Sequence, residues 1–213
     1  MDELSKMTYP CPAFSFHSHQ TIMMLDFGPI HRREIRLAEY AKQQNIDRTD
    51  LQQFSNEMID TLLTLLDNVE DADVVFVPTD PDADDPYAET AEELTIGWTL
   101  GHIIAHTTAS SEECCAQAAE LARGVEVCGR SRYETPWEQI QMVEDTRQRL
   151  EESRRMRIAY LNAWPNVPNT ELTFTPYKGP QNCIVRVLAG LFHEESHLEQ
   201  IKEAKSQAIL ARK

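Results

Sequence analysis

The chain lacks the features that mark secreted, membrane and nucleic-acid-binding proteins. Its 213 residues include 5 cysteines, an odd number with no CxxC pair, which favours a reduced cytoplasmic setting over a disulfide framework. No apolar run approaches the roughly 18 residues of a membrane helix, and the acidic N-terminus predicts no signal peptide. Bases are scarce, with 20 Lys and Arg against 35 Asp and Glu, which argues against nucleic-acid or anionic-membrane partners.

Glycine is scarce as well, at 7 residues, and long stretches rich in Glu, Lys, Leu, Ala, Gln and Arg predict an all-α fold. Apolar residues at three- and four-residue spacing support this prediction, because that period places them on one face of a helix. We expect an irregular lead-in over 1–30 and one four-helix bundle over 31–213 with long, irregular connections. The predicted helices cover about 32–68, with a break near Asn45, and then about 95–124, 136–164 and 182–211.

Local signals refine these boundaries. Thr135, Pro136 and Glu138 form a capping-box pattern that predicts the start of the third helix. The acidic, proline-containing segment 69–90 predicts a long loop, in which VVFV is a candidate short strand. TELTFTPYKGP, residues 170–180, predicts a short extended piece and a turn, so we expect at most one short two-stranded element.

Four of the 7 histidines form two pairs with a spacing of four residues. In GLFHEESHLEQ, His193 and His197 lie one turn apart, so both imidazoles project from one helix face and can bind one metal ion. In GWTLGHIIAHTTASSEE, His102 and His106 repeat the arrangement on another predicted helix. If the two faces meet, three or four nitrogens converge, which predicts a divalent-metal site. Such ligation suits zinc, nickel, iron or copper and does not choose among them.

His193, Glu194 and His197 also spell HExxH, the motif of zinc peptidases. Those enzymes take a third ligand from a downstream helix or from an HExxHxxGxxH extension. Residues 198–213 continue the same predicted helix, and neither Gly nor His occupies the extension positions. A metalloprotease is therefore the weakest of the alternatives, and the natural candidate for a third ligand is the upstream His106.

The two histidine segments resemble the motifs of the DinB-like superfamily, also described as DinB/YfiT-like proteins. Trp98 followed by His106 is similar to the W-[ST]-…-H segment of that family's second helix. His193, His197 and Gln200 are similar to the H-x-x-x-H-x-x-Q-I segment of its fourth helix.

This resemblance extends over about 31–210. It implies a bundle in which His106, His193 and His197 hold a divalent metal together with water, and it implies homodimers. Members of the family include S-transferases and isomerases that use low-molecular-weight thiols, namely mycothiol, bacillithiol or glutathione. We therefore expect a cytoplasmic, metal-dependent enzyme that acts on a small molecule, as a thiol-dependent S-transferase or a related hydrolase. The alternative is a non-catalytic, stress-associated metal-binding bundle.

Other polar side chains are candidates for supporting roles. His102 is not at a ligand position of the family, and we expect it to line the pocket or to serve as a fourth ligand. Glu194 and Glu113 are candidates for a general base or for a carboxylate that orients a ligand; otherwise each is an exposed helix carboxylate. Three arginines are candidates for binding an anionic substrate, or else are surface residues: Arg186, Arg130 and Arg132.

Overall fold

The structure is a computed structural model that describes residues 25–81, 83, 93–129, 136–176 and 179–213. Most of the predicted lead-in, residues 1–24, lies outside the described residues. No helix in the described ranges is both long enough and apolar enough to cross a membrane. The helices are α1 (Gly28–His31), α2 (Leu37–Gln43), α3 (Arg48–Leu65), α4 (Asp71–Val74), α5 (Leu100–Ala122), α6 (Val143–Asn162), α7 (Cys183–Ser196) and α8 (Leu198–Ala211), with 3₁₀ turns at Glu93–Thr95 and Trp137–Gln139.

The predicted all-α fold is confirmed, and its long helices pack as a bundle. Helix α5 packs along α7 on one side and along α6 on another, while α3 packs against α6 and α7. Burial of apolar side chains from all of these helices stabilises the packing. The fully buried side chains include Leu51, Met58 and Leu62 of α3, Ile103, Ile104 and Leu121 of α5, Leu150 and Leu161 of α6, and Leu188 of α7.

The first predicted helix, 32–68, is divided in the structure. Arg33 has a positive φ of 58°, which is incompatible with a continuing helix, so α2 starts only at Leu37 and the predicted start at 32 was wrong. The break near Asn45 is confirmed, since this residue has a φ of 50°. Helix α3 begins after Asp47, whose carboxylate accepts hydrogen bonds from two backbone N–H groups of the first turn.

The third predicted helix begins later than its capping pattern indicates. Thr135 lies outside the described residues, Trp137–Gln139 forms a single 3₁₀ turn, and α6 begins at Val143. Ile140 explains the delay, because its extended backbone places its side chain in a small buried cluster between α4 and α5. The predicted start at 136 was therefore wrong. The carboxylate of Asp145 caps α6 by accepting a hydrogen bond from the backbone N–H of Met142, the residue just before the helix.

The acidic segment 69–90 contains a short helix, and the strand predicted at VVFV was wrong. Val74 ends α4 and is fully buried, while the residues that follow it in this run are irregular. Asp73 favours the helix because its carboxylate accepts at 2.8 Å from the N–H of the residue before α4. Residues 82 and 84–92 lie outside the described residues.

The predicted two-stranded element is reduced to one antiparallel bridge between Phe174 and Gln181. Each backbone N–H donates to the carbonyl oxygen of the other residue, at 2.9 and 2.8 Å. Residues 177 and 178 lie outside the described residues. The bridge closes the connection that leads into α7.

The fourth predicted helix, 182–211, is interrupted at His197. The hydroxyl of Ser196 donates at 2.6 Å to the carbonyl oxygen of His193, which is the usual acceptor for the N–H of residue 197. The His197 N–H donates instead to the carbonyl oxygen of Glu194 at 3.1 Å. This tighter turn places His197 at the junction of α7 and α8.

Helices α5 and α7 run antiparallel. His106 lies beside His193 at one end of the contact, and Gln117 lies beside Arg186 at the other. Gly190 lies between these two points on α7 and packs against Ser111 and Cys114 of α5. We call the side of this contact that carries His106, Gln117, Arg186 and His193 the α5–α7 groove.

We predict that Gly190→Val destabilises the fold by about 1–3 kcal/mol through overpacking. A Cβ atom at Gly190 would lie 3.2 Å from the Cα of Ser111 and 3.0 Å from the Cβ of Cys114, so the added methyl groups must push α5 and α7 apart. Urea unfolding measures the free energy of unfolding. The control is Ser206→Val on the exposed face of α8. An equal effect of the two substitutions would contradict the close packing at Gly190.

Candidate metal centre

Three imidazoles meet where α5 contacts the junction of α7 and α8. The Nε2 atom of His193 lies 3.3 Å from the Nε2 of His106 and 3.3 Å from the Nε2 of His197. All three residues are half-buried, and one nitrogen of each lies within 4.8 Å of the others. The structure thus brings together three of the four paired histidines and leaves His102 outside the ligand group.

The donor set fits a divalent metal ion. Nitrogens that lie about 2.0–2.1 Å from a tetrahedral centre are about 3.3 Å apart, which matches both separations in the cluster. Within the described residues, no carboxylate or thiol joins the group. Three neutral imidazoles therefore leave part of the coordination sphere of a metal to water or to a substrate.

Gln200 fixes the tautomer of His197. Its Oε1 atom lies 2.7 Å from Nδ1 of His197 and can only accept, so Nδ1 carries the proton and Nε2 keeps its lone pair. Burial lowers the pKa of His197, although the hydrogen bond to Gln200 and the charge of Glu194 act in the opposite direction. Burial thus favours the neutral imidazole that a metal ion requires.

Aromatic rings form one side of the cluster. The ring of Trp98 is centred 4.8 Å from that of His106 and 6.2 Å from that of His197. The same indole stacks at 4.3 Å on His102, which stacks at 4.7 Å on the partly exposed ring of Trp137. His102 is therefore held between two indoles, one of which contacts the cluster.

Comparison with known proteins agrees with this geometry. The family model of the DinB superfamily matches residues 55–201, a range that includes all three histidines of the cluster. The chain belongs to the DinB superfamily. No curated protein and no solved structure matches it. Family membership and the histidine cluster together are compatible with metal binding by this DinB-superfamily chain.

In this DinB-superfamily chain, the glutamate of HExxH is tied to the interior of the bundle. The two carboxylate oxygens of Glu194 accept from the guanidinium of Arg157 at 2.7 Å each, and one also accepts from the hydroxyl of Ser111 at 3.1 Å. Both charged side chains are 0% exposed. Burial acts to lower the pKa of Arg157, but the charge and hydrogen bonds of Glu194 outweigh it and raise this pKa.

These contacts correct the expectations for Glu194. An exposed carboxylate is excluded because the side chain is completely buried. A general base must exchange protons at the cluster, whereas the Glu194 carboxylate is completely buried and both of its oxygens accept from Arg157. A role in orienting a ligand stays a prediction. Glu194 therefore links α7 to α6 and, through Ser111, to α5.

Glu113 and Arg186 lie farther along the groove and outside the ligand group. Gln117 connects them, since its Nε2 donates to Glu113 Oε1 at 3.2 Å and its Oε1 accepts from Arg186 Nε at 2.7 Å. The other two candidate arginines, Arg130 and Arg132, lie outside the described residues.

His31, which lies in the described part of the chain, does not join the cluster. His31 lies 2.6 Å from a carboxylate oxygen of Glu195 at the surface, which agrees with an ordinary hydrogen-bonded side chain. His17 and His19 lie outside the described residues.

Sequence reasoning did not identify Arg157 as the partner of Glu194, nor a role for Gln200 beyond its place in a motif. Arg157 occurs in the charged run RRMRIAY, which is typical of a solvated helix face. One signal was present, however. Arg157 lies seven residues after Leu150 and four before Leu161, on the stripe that α6 buries.

We predict that the protein binds about one divalent ion per chain and that His106→Ala, His193→Ala and His197→Ala each weaken binding. Removing an outer hydrogen-bond partner of a metal ligand typically lowers metal affinity roughly ten- to hundredfold. Removing a ligand itself should lower the affinity by more than this. Equilibrium dialysis against zinc or nickel, followed by elemental analysis, measures the affinity. His102→Ala is the matched control, one turn from His106 and outside the group. Unchanged affinity in His106→Ala would refute the three-histidine site.

We predict that Glu194→Leu lowers the free energy of unfolding by about 3–5 kcal/mol, because it leaves the buried charge of Arg157 without a partner. Arg157→Met should act similarly, and the double variant should recover most of the loss. Chemical denaturation of all three variants completes a double-mutant cycle.

The matched control for this cycle is Glu195→Leu, which removes the neighbouring carboxylate that pairs with His31 at the surface. We expect it to change the free energy of unfolding by less than about 1 kcal/mol. A Glu194→Leu variant as stable as this control would show that the buried charge of Arg157 does not require Glu194 as its partner.

Proposed function

We propose that the protein is a metal-dependent enzyme that transfers the sulfur of a low-molecular-weight thiol to a small-molecule acceptor. The observation that carries the proposal is the composition of the cluster: three imidazoles, with no further acid or thiol ligand among the described residues. Structural sites are usually closed by four protein ligands, whereas catalytic sites keep a position for water or substrate. Membership of the DinB superfamily also supports the proposal of a metal-dependent enzyme.

When bound, a zinc, nickel or iron ion supplies Lewis acidity that keeps a thiol sulfur deprotonated at neutral pH. The residues of the chain prepare the site. Gln200 holds His197 in the tautomer with a free Nε2 lone pair, and Trp98 covers one side of the cluster. The sulfur then attacks a carbon of the acceptor, an S–C bond forms, and the leaving group departs with its electron pair.

The proposal assigns no general base to the protein. Glu194 is engaged with Arg157, and no carboxylate joins the histidines in the described part of the chain. The thiol proton therefore passes to solvent before the attack. This assignment separates the proposed reaction from peptide hydrolysis by HExxH enzymes, in which the glutamate is the base.

We also propose that the enzyme works as a homodimer in the cytoplasm. The cytoplasmic setting is supported by Cys115, Cys128 and Cys183, none of which forms a disulfide. The homodimer is proposed from the resemblance to the family, and sedimentation analysis would test it.

We predict that the zinc-, nickel- or iron-loaded protein accelerates attack of glutathione, bacillithiol or mycothiol on chlorodinitrobenzene, with release of chloride. His106→Ala should reduce the rate to the uncatalysed level, because the ligand set is incomplete. His102→Ala should retain most of the activity, provided that it binds metal normally. Absorbance of the thioether product measures the rate.

Two other results would contradict the proposal. Cleavage of activated esters without any thiol transfer would indicate the related hydrolase. A fully metal-loaded protein with neither reaction would favour the non-catalytic, stress-associated metal-binding bundle. Metal content must be measured on the same samples, so that a missing ion is not taken for missing activity.

A further inference from the structure

Arg186 lies in the same groove as the histidine cluster, about 10 Å from it along the axis of α7. Seven residues, nearly two turns, separate it from His193, so the two side chains differ in direction by about 20°. On α5, Gln117 lies eleven residues after His106 and also differs from it by about 20°. The contact of Arg186 with Gln117 and that of His193 with His106 place both pairs in one groove.

Neutral groups hold the guanidinium of Arg186. Its Nε donates at 2.7 Å to Oε1 of Gln117, and Nη1 donates at 3.1 Å to Oε1 of Gln181. Both glutamines are buried. The guanidinium carbon lies 5.5 Å from the centre of the Phe174 ring. These contacts orient the guanidinium without neutralising its charge, and they use only part of its five N–H donors.

Three buried or half-buried arginines of α6 differ in this respect. Arg149, Arg154 and Arg157 each pair with a carboxylate. In the described part of the chain Arg186 has no carboxylate partner, because the amide of Gln117 stands between it and Glu113. An arginine that is preoriented and not neutralised, in a protein with a net charge of −15, is unusual.

Arg48 and Arg123 also donate to neutral oxygens, but their surroundings differ. They bind carbonyl groups at the C-terminal end of α6, where the helix dipole is negative. Arg186 lies in the first turn of α7, where the helix dipole is positive. The positive end of the helix dipole therefore adds to the positive charge of Arg186, and together they favour binding of an anion.

We infer that Arg186 binds a carboxylate of the thiol, so that the thiol is an organic acid whose sulfur lies about 10 Å from that carboxylate. A guanidinium can donate two parallel hydrogen bonds to the two oxygens of a carboxylate, which favours this anion over a spherical one. The inference rests on the proposed function, in which the sulfur of the thiol reaches the histidine cluster. It adds that the other end of the same thiol binds Arg186.

The test compares two thiols of equal length, mercaptohexanoate and mercaptohexanol, on the full chain loaded with Co²⁺. Thiolate absorption bands of cobalt report binding without any turnover. We expect the wild type to bind mercaptohexanoate at least about tenfold more tightly, as a hydrogen bond to a charged group allows. Arg186→Gln should abolish this preference, and Arg186→Lys should retain only part of it. The matched control is Arg123→Gln, which should keep the full preference.

The outcomes separate the inference from the proposed function. If neither thiol reaches cobalt in the wild type, the proposed function fails and the inference fails with it. If both thiols bind equally, or if Arg186→Gln keeps the preference, the carboxylate site at Arg186 is wrong while thiol binding stands. Mercaptoacetate is too short to span the groove, so an equal preference for its carboxylate would also overturn the inference. Thermal unfolding of the Arg186 variants confirms that each is folded.

Discussion

The buried ion pair between Arg157 and Glu194 sets the orientation of α7, and the histidine cluster depends on that orientation. Glu194 lies between His193 and His197 in the sequence, and at about 100° per residue its side chain points about 80° from the mean direction of the two imidazoles. When Arg157 of α6 and Ser111 of α5 hold this carboxylate, α7 cannot rotate about its axis. The imidazoles must then face His106. We interpret the pair as a determinant of geometry, because a buried ion pair by itself is weak evidence of stability.

The same orientation explains why an HExxH spelling does not imply a peptidase. In a zinc peptidase the glutamate must reach a water molecule on the metal. Here His193 faces His106 of α5, whereas Glu194 faces Arg157 of α6. The residues of one motif therefore contact two different helices. In the described part of the chain no acidic side chain joins the histidines. Such a cluster suits a nucleophile that is acidic enough to ionise when a cation binds it, and a thiol meets this requirement better than water.

The long helices could be predicted from the sequence because their apolar period is local information. Their starts were less predictable, since they depend on contacts between distant segments. The capping pattern at Pro136 produced only a 3₁₀ turn, because burial of Ile140 between α4 and α5 requires an extended backbone just before α6. The interruption at His197 has a more local cause, the hydroxyl of Ser196. It is still hard to predict, because serine side chains within a helix often leave the backbone hydrogen bonds intact.

His193 and His197 could be found because a spacing of four residues places side chains on one helix face, wherever that helix later packs. The same spacing did not separate His106 from His102, and the resemblance of Trp98 and His106 to the family motif made that choice. Arg157 and Gln117 could not be found in this way, because their roles depend on which helices become neighbours. Arg157 nevertheless illustrates a usable rule. A charged residue on the buried stripe of one helix requires a partner of opposite charge on a facing helix, since an isolated buried charge costs several kcal/mol, roughly. In the structure Glu194 is that partner, and its engagement with Arg157 argues against a role as general base.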